Sequence, residues 1–239
     1  MKAPSILIST VLAMCAAFNL GAQSDQMDSL ASKLAVLLQQ SASKQSGFHC
    51  EGGQVITGGK KASFTAVSEQ ALEHQGRSIQ AARIEVSVDG VPVPQLTFGA
   101  VGVGTSREDA DMTAIQEWYM AAGKAVIDAI GRRAAETVVG GFSVHAGLMG
   151  IRGSAPGGWL QGTAEMNTKI LDVLLPHLPK DASTVAIDLK VAMQPGSAPD
   201  GQCLINGQPS PAAMEAVKRL DWPQAGGGYL FKQAYVLVR

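Results

Sequence analysis

Residues 78–106 read SIQAARIEVSVDGVPVPQLTFGAVGVGTS, and residues 107–130 continue REDADMTAIQEWYMAAGKAVIDAI. In the first half Ile84, Val86 and Val88 alternate with Arg83, Glu85 and Ser87, the period-two pattern of a strand with one buried face. Asp89-Gly90 is a two-residue hairpin signal, because both positions tolerate the positive φ of a tight turn. Pro92 and Pro94 carry no N–H for a ladder, so the returning strand is expected to pair from Gln95 through Val103. Ser106, with Asp109 three residues on, opens a helix as a capping box, and Ile115, Trp118, Ala122, Val126 and Ala129 form its apolar stripe. Arg132-Arg133 beyond its end suits the helix dipole. An antiparallel hairpin feeding a long helix points to an α+β fold.

Working outward, Met27, Leu30, Leu34, Leu37 and Leu38 fall at helical spacing between Ser24 and Ser43. Strand signals occupy Gly47 to Cys50 and Ser63 to Ser68. Val138 to Gly153 reads as one or two glycine-rich strands, and Thr163 to Leu175 as a helix stopped by Pro176. Val185, Ile187, Leu189, Val191 and Met193 alternate with polar or small neighbours, the clearest strand of the chain. A short strand through Cys203 to Ile205, a turn at Asn206-Gly207, a helix opening at Ser210-Pro211 and a strand from Tyr229 to Val238 complete the order. With no repeat and no long linker, residues 23–239 are expected to form a single α+β domain. Its sheet would be mixed or mostly antiparallel, packed by about four helices, the longest near 107–130.

Of the 239 residues 46% are hydrophobic and 16% charged, which excludes a disordered chain. Nineteen basic residues against 20 acidic leave no field to attract nucleic acid. Lys2 followed by an uncharged apolar run from Ile6 to Leu20 is too short to span a bilayer and suits a bacterial export signal. Leu20-Gly21-Ala22 provides a small-residue exit, so residues 1–22 are read as a signal peptide and the mature protein as periplasmic or secreted. Leu12-Ala13-Met14-Cys15 allows the alternative of a lipid anchor through Cys15, with Met14 standing where a small residue is usual. Membrane contact is expected only in that case. Loss of Cys15 would leave Cys50 and Cys203, an even pair in an oxidising compartment, and a disulfide between them is expected.

Chemistry is sparse. Gly102, Gly104, Thr105 and Ser106 carry a strand through glycines into a helix N-terminus, a candidate anion-binding junction. Thr105 stands where a P-loop needs lysine, and Arg107 where a dinucleotide fingerprint needs its third glycine, so no cofactor is expected. Gly141-Phe-Ser143-Val-His145 lacks the second glycine of a nucleophile elbow, but a strand would put Ser143 and His145 on one face. The histidines at 49, 74, 145 and 177 share no ligand spacing, and no metal is expected. The favoured reading is a non-enzymatic binding or interaction module whose partner is a macromolecule or a small ligand. The alternative is a serine-type hydrolase with Ser143 as nucleophile and His145 as base.

The run from Gly102 to Ala110 leading into Ala114-Ile-Gln-Glu-Trp118 and Gly123, with the closing Leu230-Phe-Lys-Gln-Ala-Tyr235, resembles an uncharacterised bacterial family grouped as a domain of unknown function. The resemblance implies no activity and no site residues.

Overall fold

The computed structural model describes residues 30–42, 47–135, 137–154, 156–157 and 159–239. The expected signal peptide and Cys15 lie outside these residues. No described helix is long and apolar enough to cross a membrane.

The fold is α+β with antiparallel sheets and about four helices, the longest running through residues 107–130. The strands divide into two sheets. The first holds β1 (Phe48–Glu51), β2 (Gln54–Thr57), β3 (Lys60–His74), β4 (Arg77–Val88), β5 (Val91–Pro92) and β6 (Phe98–Gly104). Asp89 and Gly90 make the turn with φ of 50° and 80°. Pro94–Leu96 forms a 3₁₀ turn, so the returning strand pairs with β4 from Phe98 rather than Gln95. The second sheet runs β12 (Gln208–Pro209), β11 (Asp200–Ile205), β10 (Thr184–Met193), β13 (Tyr229–Val238), β8 (Phe142–Ala146), β7 (Thr137–Val139), with β9 (Gly150–Gly153) also on β13.

Helix α1 (Leu30–Ala42) covers the first sheet with Leu34 and Leu38. The long helix consists of α2 (Arg107–Trp118), a π turn (Tyr119–Gly123) and α3 (Lys124–Ile130). It lies between the sheets, since its Ile115, Trp118 and Val126 share one core with Ile84 and Phe98 of the first sheet and with Ala186, Ala234 and Val236 of the second. The π turn answers a local contact. The 147–149 loop presses on the helix there, a Cβ on Gly147 would lie 1.6 Å from the Ala121 carbonyl oxygen, and the Leu148 N–H donates to the Met120 carbonyl at 2.9 Å. On the far face of the second sheet, α4 (Trp159–Leu174) and α5 (Pro211–Lys218) bury Ile170, Leu174, Ala213 and Val217 against Val185, Ile187, Leu189, Phe231 and Tyr235.

This layering corrects one expectation. Cys50 and Cys203 are both free thiols. Cys50 packs against the core between the sheets, whereas Cys203 sits in the core under α4 and α5, on the face of the second sheet turned away from the first. Burial, with the Asp188 carboxylate adding to it, pushes the Cys203 thiol up to about 12. A thiol so held is a buried apolar side chain rather than a reactive group.

Candidate functional site

Two of the cavities among the described residues bear on the choice of site. One, of about 10 Å³, lies against Glu117, Trp118, Asp188, Lys190 and Lys232 and has room for little more than a water. Its charges already satisfy one another: Glu117 accepts from Arg152 at 3.1 Å and from Lys232. The other, of about 330 Å³, is large enough for a small molecule.

Among the described residues β7 pairs with β8 at Phe142, Ser143 and Val144, and Ala135, which stands opposite Ala146 in that register, belongs to no strand. The larger cavity lies beside this edge and meets groups from both sheet faces. From α3 come Lys124 and Asp128, one turn apart. From β8 come His145 and Ala146, from α4 Asn167, Thr168 and Leu171, from β13 Tyr235, with Ala134, Ala135 and Thr137 at the rim. Gly147 donates its N–H to Ala234 of β13. By the alternation of an antiparallel ladder, the Ala146 N–H and C=O therefore face away from β13, toward the cavity.

Polar contacts preorganise the walls. Lys124 Nζ donates to Asp128 Oδ2 at 2.5 Å and Arg133 Nη1 to Asp128 Oδ1 at 2.8 Å, so the buried carboxylate holds two cations. The Tyr235 hydroxyl donates to Asn167 Oδ1 at 2.7 Å, which turns the amide nitrogen of Asn167 outward from that contact. Burial pushes the Tyr235 phenol up, keeping it protonated. His145 is 7% exposed, and burial holds its imidazole below the usual histidine range, opposed by the Asp128 carboxylate and reinforced by the Lys124 ammonium.

That depression fixes a sign. The unfolded chain takes up a proton on this residue near the ordinary value of about 6.5 while the folded chain resists it. Stability from His145 is thus complete above that value and is lost as pH falls from about 6.5 through the lowered folded value. Urea midpoints between pH 7.5 and 5 are expected to fall more steeply for the wild type than for His145→Gln. Parallel curves would contradict the assignment.

Ser143 and His145 share one face of β8, opposite Val238 and Val236. No hydrogen bond joins them among the described residues, and Ser143 is half-buried outside the cavity lining. At the glycine-rich junction the glycines have a packing role. A Cβ on Gly102 would lie 1.8 Å from the Ala110 carbonyl oxygen, and one on Gly104 2.4 Å from the Ala110 nitrogen, so these glycines let β6 lie directly on α2. Two N–H donors around the helix start are taken by the chain itself. Thr105 N–H donates to Asp109 Oδ2 at 2.8 Å and Asp109 N–H to Ser106 Oγ at 3.2 Å. Asp109 and Glu108 supply the negative charge that an anion would have brought. No group of three or more metal-ligating side chains occurs among the described residues.

Sequence reasoning found His145 but not its neighbours. Lys124 and Asp128 were not singled out, although Asp128 in the otherwise apolar run Ala125-Val-Ile-Asp-Ala-Ile130 was a usable signal of a buried carboxylate.

Compared with known proteins, the chain matches the model of a family described as a family of unknown function, DUF6348, over residues 49–239. No curated protein and no solved structure matches it.

Proposed function

The chain belongs to the DUF6348 family, a family of unknown function, and from that premise we propose that it is an exported, non-enzymatic module holding a small polar ligand at the open edge of β8. One observation carries the reading. Lys124, His145, Asn167 and the outward backbone groups of Ala146 converge on a cavity of about 330 Å³ whose walls are fixed by ion pairs and by the Tyr235–Asn167 hydrogen bond. The same groups argue for binding over hydrolysis: Ser143 lies outside the lining, and the Asp128 carboxylate nearest His145 is committed to two cations.

Titrating ¹⁵N-labelled protein with a library of small polar compounds is expected to move the amide signals of Lys124, His145, Ala146 and Asn167 together. Covalent labelling by a fluorophosphonate, abolished in Ser143→Ala, would favour the hydrolase reading instead. Export rests on the pattern from Lys2 to Ala22. The intact mass of protein recovered from its producing cells is expected to begin at Gln23 with no acyl group, and a diacylglycerol adduct on Cys15 would identify the anchored form.

A further inference from the structure

We propose that the free edge of β6 receives an extended, uncharged segment of a partner polypeptide, which pairs with Gly99, Val101 and Val103 as an added strand. The ladder fixes which groups are open. Val93 N–H donates to the Val86 C=O at 2.8 Å, so the backbone groups of Val86 point to the side of β4 on which β6 lies. Pairing from Ile84–Phe98 to Ser78–Gly104 is unbroken, and alternation turns Ile84, Ala82, Gln80 and Ser78 toward Phe98, Ala100, Gly102 and Gly104. Gly99, Val101 and Val103 are left with their N–H and C=O groups directed away from β4. Among the described residues no strand pairs with β6 on that side and no backbone group bonds to these three.

The same residues face solvent. Val101 is 44% and Val103 42% exposed, and Val103 continues a row across the sheet with Ile79 and the exposed Leu72. Elsewhere, strand edges carry the features that prevent stray pairing. β5 and β12 are two residues long and contain Pro92 and Pro209, β1 carries His49 and Glu51, and β9 carries Arg152. Beyond its pairing with β2, β3 has a bulge between Ser68 and Gln70. Phe98–Gly104 has no charge, no proline and no bulge.

The position of α2 selects the occupant. Its Ala110 lies over Gly102 and Gly104, and it runs back along β6 until Trp118 lines the small cavity with Phe98 and Gly99. A second copy pairing through its own β6 would bring a second α2 to about one strand spacing, roughly 5 Å, where packed helices need about 8–10 Å. A single extended segment brings no helix. Charge sets its composition: an ionised side chain laid beside Val101 and Val103 would lose water and gain no partner from β6, so the complement is uncharged, with apolar residues flanking the valines.

The test titrates ¹⁵N-labelled protein with a blocked peptide of alternating threonine and valine, matched to the seven residues of β6. Two analogues accompany it, one N-methylated at every residue and so without ladder donors, the other with lysine in place of valine. The threonine-valine peptide is expected to shift the amide signals of Gly99, Val101 and Val103 saturably and to slow their hydrogen exchange at least about tenfold. The N-methylated peptide is expected to shift none of them, and the lysine peptide to bind at least about tenfold more weakly. Val101→Lys, a guard charge on the edge itself, is expected to weaken binding of the threonine-valine peptide as much while the remaining spectrum is kept. No shift at the three residues, equal binding of the N-methylated peptide, or unchanged affinity in Val101→Lys overturns the proposal. Concentration-dependent dimerisation that protects the same three amides would make a second copy the occupant and overturns it as well.

Discussion

Replacing Gly102 by alanine is expected to cost about 3 kcal/mol, the upper end of ordinary overpacking, because the new methyl group meets backbone on two sides. Its Cβ would lie 1.8 Å from the Ala110 carbonyl oxygen and 2.4 Å from the Ala114 nitrogen. Neither atom belongs to a side chain that can rotate away. Relief requires lifting α2 from β6, which opens the core where Ile115 and Trp118 pack. Gly99→Ala is the internal control. Gly99 lies on the same strand with nothing within 4 Å of a built Cβ, so this change is expected to stay within about 0.5 kcal/mol. Urea unfolding of the pair measures the difference, and equal midpoints would show that the strand and helix are not held at this distance.

The second large effect is expected at Trp118. It is 1% exposed, meets Phe64 edge to face with ring centroids 5.3 Å apart, and joins the helix to the first sheet just before the π turn. Truncation to alanine removes its buried area and leaves a cavity that rigid sheet and helix cannot close, at a cost of about 4 kcal/mol. That is a large share of the roughly 5–15 kcal/mol of a typical domain. Met120, two residues on and 40% exposed, should tolerate alanine within about 0.5 kcal/mol. A loss at Trp118 no greater than at Met120 would mean that the core between the sheets is loosely packed.

The elements that sequence reading placed well are those whose burial is periodic. Thr184–Met193 pairs with Tyr229–Val238 along its whole length, and its alternation was visible before any contact was known. β2 escaped notice because it is four residues long between the glycine pairs 52–53 and 58–59, too short to display a period. The division into two sheets was equally hidden, since strand pairing over long separations leaves no local trace.

The glycines of β6 show a different limit. Glycine permits both close approach to a ligand and close approach to a helix, and only the position of Ala110 decides between them. The cysteines failed for the same reason, as parity and compartment argued for a bridge that the layering of the sheets does not form. The candidate site was legible in one residue, His145. Its other members come from α3, α4 and β13, brought together by packing over long separations that leaves no local trace in the sequence.

The account turns on the cavity at the open edge of β8. Its most direct test is the library titration repeated on Ala135→Trp, which places a large side chain on a rim residue that belongs to neither sheet nor helix. The wild type is expected to show saturable shifts at His145, Ala146 and Asn167 that disappear in the variant, while its thermal midpoint and remaining spectrum are kept. Ligand-induced shifts that survive in Ala135→Trp, or that map away from these residues in the wild type, would contradict the assignment of this cavity as the functional site.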